Sequence, residues 1–197
     1  MAMKTLKNLL CITLLCGAII SCNKDDDNSS QTPVVTEQNP LPGYLTATGF
    51  DQKTTNYVNS GDYEFGITFT PLVNGKITTL MTKIPDVRTS MRITIWDKAT
   101  ATILRTELID VTSSGVEISK VISPLDLVKD KEYMITYNSN DWYERKKTDG
   151  TNTTYPVTVG DIKIMSYAYK SGTNQVMPDV IPMNYYAGDL TFKFVKS

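Results

Sequence analysis

Polar and apolar residues alternate in short runs along most of the chain. From Tyr44 onward apolar side chains recur at about every second position, and Gly, Pro, Asn and Asp interrupt the runs. No stretch keeps an apolar stripe at helical spacing for three turns. A period near two is the spacing of strands that bury one face. The pattern therefore predicts an all-β body, an antiparallel β-sandwich of about eight strands.

The predicted strands are separated by turn residues. They cover residues 63–70, 76–84, 91–97, 102–109, 116–122, 132–137, 162–169 and 190–195. The segment Pro-Leu-Val-Asn-Gly at 71–75 separates the first two and carries residue types that favour a turn. We therefore expect those two strands to pair with each other.

The first 21 residues differ from the rest of the chain. Lys4 and Lys7 precede an almost unbroken apolar run over residues 9–20, which is too short for a stable membrane-spanning helix. We interpret residues 1–21 as a signal peptide that is removed during export. The run ends in Ile-Ile-Ser-Cys at residues 19–22, which resembles the lipobox of bacterial lipoproteins. That resemblance implies lipid attachment at Cys22; an ordinary signal peptide with an incidental cysteine is the alternative.

Residues 22–42 are predicted to form a lipidated tether and linker. The charged run directly after Cys22 cannot bury itself, and three prolines stiffen the later part of the segment. The pattern Cys-Asn-Lys-Asp-Asp-Asp at 22–27 resembles the surface-export signal of certain Gram-negative groups. This resemblance implies attachment to the outer membrane with the protein facing the cell exterior, and the periplasmic face is the alternative. Residues 43–197 then form one β-sandwich domain.

The amino-acid composition excludes several classes of function. All three cysteines lie in the first 22 residues and the chain has no histidine, so the folded body has no disulfide, thiolate metal site or Ser-His-Asp triad. The chain has 20 basic and 21 acidic residues without a basic stripe, which argues against a nucleic-acid partner. We predict a protein that is not an enzyme and needs no cofactor.

The body also resembles a known family over roughly residues 63–194. The resemblance lies in Phe-Gly-Ile-Thr-Phe at 65–69, Gly-Lys-Ile at 75–77, Ile-Thr-Ile-Trp-Asp at 93–97, Ser-Pro-Leu at 123–125, Tyr-Met-Ile-Thr-Tyr at 133–137 and Asn-Tyr-Tyr-Ala-Gly-Asp-Leu-Thr-Phe at 184–192. The family is a domain of unknown function found in bacterial extracellular and cell-surface proteins, often beside carbohydrate-related domains. The resemblance implies a jelly-roll-like or immunoglobulin-like sandwich with no known catalysis.

One polar stretch is the candidate ligand site. Asp141, Trp142, Tyr143, Glu144 and Arg145 lie in the longest stretch without a strand pattern, and long loops often carry binding residues. An exposed Trp-Tyr pair can stack on the apolar face of a sugar ring while the charged groups bind its hydroxyls. The alternative is that Trp142 folds back to cap the edge of the sandwich.

Other aromatic residues have two interpretations each. Trp96 ends a predicted strand, and we place it in the core or at its rim rather than at a ligand. Alternation puts Tyr167 and Tyr169 on one face of a strand, near Tyr185 and Tyr186. These side chains either line a tyrosine-rich face or pack against one another across strands.

Scattered carboxylates leave two further options. Asp62, Glu64 and Asp189 could supply oxygen ligands for a structural calcium ion, although their spacing matches no calcium-binding loop. A pair of carboxylates could also hydrolyse glycosidic bonds, provided that they face each other across a cleft.

Three functions remain, in order of preference. The first is a non-enzymatic, lipid-anchored surface sandwich for adhesion or ligand binding, with carbohydrate as the expected ligand. The second is a structural or partner-binding subunit of a surface protein assembly, which recruits its partner by strand addition or an aromatic patch. The third is a two-carboxylate glycoside hydrolase.

Overall fold

The computed structural model of the protein describes residues 36–197. The predicted signal peptide, Cys22 and the first part of the predicted linker lie outside the described residues. Within residues 36–197 the chain forms thirteen strands and one helix, and no helix of this range is long and apolar enough to span a bilayer. The elements are β1 (Glu37–Gln38), α1 (Pro40–Thr48), β2 (Lys53–Tyr57), β3 (Tyr63–Pro71), β4 (Gly75–Thr82), β5 (Arg88–Asp97), β6 (Thr102–Val111), β7 (Ile118–Leu127), β8 (Tyr133–Ser139), β9 (Trp142–Lys146), β10 (Val157–Val159), β11 (Ile162–Ser171), β12 (Tyr185–Ala187) and β13 (Leu190–Lys196).

The strands form three antiparallel sheets. The six-stranded sheet has the order β10-β11-β3-β8-β5-β6, and the four-stranded sheet has the order β1-β13-β4-β7. Their inner faces share one hydrophobic core, in which the rings of Phe69 on β3 and Phe192 on β13 have centroids 4.7 Å apart. A smaller sheet of β12-β9-β2 packs against one end of this core. The predicted all-β sandwich is confirmed.

All eight predicted strands are present, and their ends differ from the predicted ends by at most five residues. The strands that the pattern did not predict are β1, β2, β9, β10 and β12, which have only two to five residues each. Such short strands show too few alternations to be recognised. They matter because β2, β9 and β12 build the third sheet.

The predicted pairing of the first two strands is wrong. β3 lies between β11 and β8 in the six-stranded sheet, whereas β4 lies between β13 and β7 in the opposite sheet. The turn residues at 71–75 do reverse the chain, but they carry it from one sheet to the other. Turn chemistry is local and does not determine the strand partner. Almost every residue of β3 is buried, which is typical of a central strand covered on both faces.

The helix α1 was not predicted from the apolar pattern. Asn39 caps its first turn, where the side-chain oxygen accepts a hydrogen bond from the Leu41 amide at 3.1 Å, and Pro40 occupies the first turn. Gly49 ends the helix with φ of 75°, a conformation that glycine adopts without strain. With only nine residues, α1 is too short to show three turns of periodicity.

The helix and β1 also correct the boundary of the predicted linker at residue 42. β1 pairs with β13, and the Gln38 side-chain amide donates a hydrogen bond to Asp161 at 2.6 Å. Leu41 and Tyr44 on α1 are buried in the core. Residues 37–42 therefore belong to the folded body, because their side chains find partners there.

Trp96 is buried, as expected for a core residue, but it lies in a separate small cluster on the outer face of the six-stranded sheet rather than in the main core or at its rim. Its indole nitrogen donates a hydrogen bond to the Thr136 hydroxyl at 3.1 Å, and Met177 packs beside it. Met177 belongs to the segment 172–184 between β11 and β12, which crosses this face. Gln175 of the same segment donates a hydrogen bond to Thr94 at 3.0 Å. The segment thus covers the part of the outer face that contains Trp96 and Thr94.

Candidate functional site

The predicted ligand stretch 141–145 is a strand rather than a loop. β9 begins at Trp142 and lies in the middle of the third sheet, between β12 and β2. Side chains alternate between the two faces of a strand, so Trp142 and Glu144 share one face while Tyr143 and Arg145 share the other. The five predicted residues therefore do not form a single site. The expected exposed Trp-Tyr platform is wrong for this reason.

Trp142 is only 8 % exposed and packs among aromatic rings. Its indole stacks on the ring of Tyr57 with a centroid separation of 5.2 Å and an interplanar angle of 11°. The ring of Tyr63 meets the indole edge-on with a centroid separation of 5.1 Å. The ring of Phe65 has the same centroid separation from the indole and a tilted orientation. The alternative that Trp142 folds back onto the edge of the sandwich describes this environment better.

The same aromatic residues line an open cavity of about 190 Å³ at the junction of the third sheet with β3 and β11, which we call the tyrosine cleft. Most of its lining side chains are aromatic, and they come from five different strands. The lining residues are Tyr57, Tyr63, Phe65, Trp142, Glu144, Tyr169, Tyr185 and Ala187. A concave aromatic surface with a few polar groups is the usual form of a small-ligand site.

The polar groups of the tyrosine cleft are phenol hydroxyls and one carboxylate. Burial, together with the neighbouring Tyr169, raises the pKa of Tyr185 above its usual 10.0, so its hydroxyl stays protonated over the physiological range. Glu144 is paired with Lys146, with 2.7 Å between carboxylate oxygen and ammonium nitrogen. This hydrogen bond to Glu144 raises the pKa of Lys146. The cleft therefore offers hydroxyl donors and acceptors beside an ion pair at its rim.

The other face of β9 has a structural role. Arg145 makes a two-pronged ion pair with Asp189, whose side chain is only 3 % exposed. The guanidinium also lies 5.8 Å from the ring centroid of Tyr143, and Lys83 approaches that ring at 5.5 Å. These contacts attach β9 to the start of β13. Tyr143 and Arg145 are thus directed away from the tyrosine cleft.

Asp141 is likewise a structural residue. It is buried, and its carboxylate accepts a hydrogen bond from the Asn59 backbone amide at 2.7 Å. Its own backbone amide donates a hydrogen bond to the Ser139 hydroxyl oxygen at 3.0 Å. These bonds hold the turn before β9 against the segment that follows β2.

The carboxylates considered as calcium ligands do not meet. Asp62 lies 3.7 Å from Arg88, Glu64 lies 2.7 Å from Arg92, and Asp189 is bound to Arg145. Among residues 36–197, no three carboxylate, histidine or cysteine side chains lie close enough to hold a metal ion. The option of a calcium site built from these three carboxylates is therefore not supported, because each one neutralises a different arginine.

The four tyrosines at 167, 169, 185 and 186 match both interpretations in part: some pack against one another across strands, and some line an open face. Tyr167 packs against Tyr185 and Tyr186 with centroid distances of 5.9 and 5.2 Å, which is cross-strand and inter-sheet aromatic packing. Tyr169 on the same face lines the tyrosine cleft, 6.0 Å from Tyr63. Face sharing between Tyr167 and Tyr169 follows from the period of β11.

Sequence reasoning missed Tyr57, Tyr63 and Phe65 as lining residues. Tyr57 ends a five-residue strand without clear alternation, and Tyr63 and Phe65 are indistinguishable from core residues of β3. Only the packing of the third sheet beside β3 brings them to Trp142.

Comparison with known proteins adds a family but no function. No curated protein matches the chain. A family model described as a domain of unknown function (DUF4082) matches residues 50–187, a range that includes every residue lining the tyrosine cleft. Because this match covers well over half of the chain, the protein belongs to the DUF4082 family of domains of unknown function.

Proposed function

We propose that this protein is a non-enzymatic, lipid-anchored cell-surface domain that binds carbohydrate in the tyrosine cleft. The observation that carries the proposal is the cleft itself, where six rings from β2, β3, β9, β11 and β12 surround an open space beside Glu144. The lipid anchor at Cys22 and the outward-facing outer-membrane location come from the resemblance of residues 19–27 to lipoprotein signals.

The chemistry of the cleft suits a sugar ring. The apolar face of a pyranose stacks on aromatic rings, and its hydroxyls need hydrogen-bond partners that stay fixed. The phenol groups of Tyr169 and Tyr185 and the carboxylate of Glu144 supply such partners. A volume of about 190 Å³ is below the roughly 300 Å³ typical of the smallest drug-sized pockets, which favours one ring or a chain terminus.

The electrostatics of the cleft favour binding over hydrolysis. Glycoside hydrolases commonly place two carboxyl groups about 5–9 Å apart on either side of the scissile bond. Glu144 is the one carboxylate among the residues that line the cleft, and Lys146 already neutralises it. The two-carboxylate mechanism therefore has no second group here.

A wider depression near the end of the β5–β6 hairpin suits a sugar less well. Its volume is about 520 Å³, and Val87, Arg88, Thr89, Asp110, Val111 and Thr112 line it. None of these lining residues is aromatic, so a ring would find no stacking partner.

A glycan array tests the proposal with two matched variants of the full chain, each purified in detergent. Tyr57→Ala removes the ring that stacks on Trp142 in the cleft, whereas Tyr143→Ala removes a ring from the opposite face of β9. We expect the wild type and Tyr143→Ala to bind the same glycans and Tyr57→Ala to lose at least tenfold in affinity. Absence of binding to every glycan, or equal loss in both variants, would contradict it.

The anchor is tested separately. Cells grown with a clickable palmitate analogue should label the wild-type chain but not Cys22→Ala, and protease added to intact cells should remove the domain. Labelling that persists in Cys22→Ala would refute lipidation at this residue.

A partner-binding role is the second candidate. β6 and β7 are edge strands of the two large sheets, and Ile103, Leu108 and Val121 are exposed on them, Val121 to 79 %. Exposed apolar edges can recruit another chain by strand addition. A photo-crosslinker at position 108 or 121 that gives one defined adduct on intact cells would favour this role, and no adduct from either position would count against it.

A further inference from the structure

The strand register places two lysines side by side at the mouth of the tyrosine cleft. Lys53 on β2 is the cross-strand partner of Lys146 on β9, and Lys146 is also the partner of Tyr185 on β12. Residues directly opposite each other in an antiparallel pair point to the same face. Lys146 lies two residues after Glu144 and four after Trp142, so both ammonium groups are on the face of the cleft.

The charges at this mouth are not balanced. Glu144 pairs with Lys146, and the carboxylate side chain is only 16 % exposed. Lys53 is exposed, and within residues 36–197 it forms no ion pair. One carboxylate therefore faces two ammonium groups. Like charges directly opposite each other weaken a sheet, so the fold gains nothing from this arrangement.

An anionic group on the ligand would use this surplus charge. A carboxylate placed between Lys53 and Lys146 would accept charge-assisted hydrogen bonds, which are roughly twice as strong as neutral ones. The aromatic residues Tyr57 and Trp142 lie four strand positions from Lys53 and Lys146, and the Lys146 ammonium reaches back to Glu144 in the cleft lining, so a ring stacked in the cleft can direct a substituent toward the lysines.

We propose that the ligand of the tyrosine cleft is an acidic sugar, a ring that stacks on the aromatic walls and directs a carboxylate to Lys53 and Lys146. This inference rests on the proposed carbohydrate function and names the ligand class of the same site. Charge-assisted contacts of this kind weaken as salt is added, because the lysines are solvent-accessible.

Calorimetric titration of the full chain in detergent tests the inference with matched sugars. The probes are methyl glucoside with methyl glucuronoside and methyl galactoside with methyl galacturonoside, so that each pair differs only at the carboxylate. We expect the acid of the preferred pair to bind at least tenfold more tightly than its neutral counterpart at low salt. The difference should shrink as sodium chloride is raised.

Charge reversal provides the decisive variant. Lys53→Glu should remove the preference for the acid and leave binding of the neutral sugar within about twofold. The variant should be at least as heat-stable as the wild type, because a Glu-Lys pair replaces a Lys-Lys pair across the strands. Lys163→Glu makes the same change in net charge on β11 away from the cleft, and it should keep the preference.

The outcomes separate the two proposals. Equal binding of acid and neutral sugar by the wild type would overturn the inference and leave the carbohydrate function standing, as would an unchanged preference in Lys53→Glu. Loss of the preference in Lys163→Glu as well would overturn it too, because general charge would then explain the effect. No binding of any sugar here and on the glycan array would overturn both proposals.

Discussion

Two regions of the sandwich satisfy their polar groups in different ways. The tyrosine cleft is lined with aromatic rings around an open space. Elsewhere β6 and β7 approach each other at what we call the charged seam, formed by Arg105, Glu107 and Lys120. Arg105 and Glu107 lie opposite the buried residues Ile95 and Ile93, so they point between the sheets.

Each charged group of the charged seam has a partner of opposite charge. Lys120 lies 2.9 Å from Glu107 and donates a hydrogen bond to the Leu108 carbonyl at 2.8 Å. Arg105 lies 3.4 Å from Glu107 and donates to the Ser123 carbonyl at 3.3 Å. Charges that point inward at a sheet edge are a recognised protection against unwanted strand addition.

The contrast between the charged seam and the tyrosine cleft indicates which region still has groups that can bind a ligand. In the charged seam each charged group satisfies another, whereas in the tyrosine cleft phenol groups and ring faces surround open space. Tyrosine side chains are unfavourable for closing a sheet edge, because their hydroxyls need hydrogen-bond partners when they are buried. The comparison therefore supports a ligand role for the cleft and a protective role for the seam.

The largest expected effect distinguishes the buried Arg145–Asp189 ion pair from the partly exposed ion pairs of the charged seam. Arg145→Met leaves Asp189 buried without its counter-ion and should cost about 3–5 kcal/mol of unfolding free energy. Lys120→Met in the seam should cost about 1 kcal/mol or less, because an ion pair that water still reaches contributes little. Urea unfolding measures both. Similar losses in the two variants would remove the proposed distinction.

A smaller effect on stability, but a change in association, is expected when the seam becomes apolar. In a Glu107→Leu, Lys120→Leu variant the stability should stay within about 1 kcal/mol of the wild type. Its edges should now pair between chains, since Ile103, Leu108 and Val121 remain exposed beside them. Sedimentation velocity of the detergent-purified chain reports the mass distribution. A distribution identical to that of the wild type would show that the charges do not protect the edge.

The smallest expected effects appear at opposite ends of the pH scale. Burial raises the pKa of Tyr185 above 10.0, so above pH 10 the unfolded chain loses a proton that the folded chain keeps, and stability falls as the pH rises. The hydrogen bond from Lys120 lowers the pKa of Glu107 below 4.5, so its contribution is lost as the pH falls below that value.

Two substitutions isolate these contributions. Tyr185→Phe should make the alkaline loss of stability less steep, and Glu107→Gln should make the acid loss less steep, because other buried tyrosines and other paired carboxylates contribute the rest of each limb. Neither variant should change the other limb. Unfolding free energies measured from pH 3 to 11 give both slopes. Wild-type slopes in both variants would contradict the assignment of the pKa shifts to these residues.

The sequence predicted the large sheets better than the site. The eight longer strands carry enough alternating residues, as in Phe65, Ile67 and Phe69, to be recognised. β9 reads Trp-Tyr-Glu-Arg-Lys, in which neither face is purely apolar, because one face lines the cleft and the other carries the Arg145 ion pair. Its polar composition therefore suggested a loop.

The tyrosine cleft depends on contacts that local patterns do not contain. Tyr57 and Trp142 are 85 positions apart in the chain, and their stacking follows from the register of β2 against β9. Strand register is determined by packing of whole sheets, which single-sequence periodicity does not report. The lipidation of Cys22 and the carbohydrate ligand remain predictions.

Fluorescence of Trp142 tests the central claim most directly. The chain has two tryptophans, so Trp96→Phe leaves Trp142 as the single reporter in the cleft, and Trp142→Phe leaves Trp96 beneath the segment 172–184. Each variant is titrated with the strongest glycan of the array. The account predicts a saturable change in emission and reduced quenching by acrylamide for Trp142, with no change for Trp96. Saturable glycan binding that leaves Trp142 emission and quenching unchanged would contradict the claim that the tyrosine cleft is the binding site.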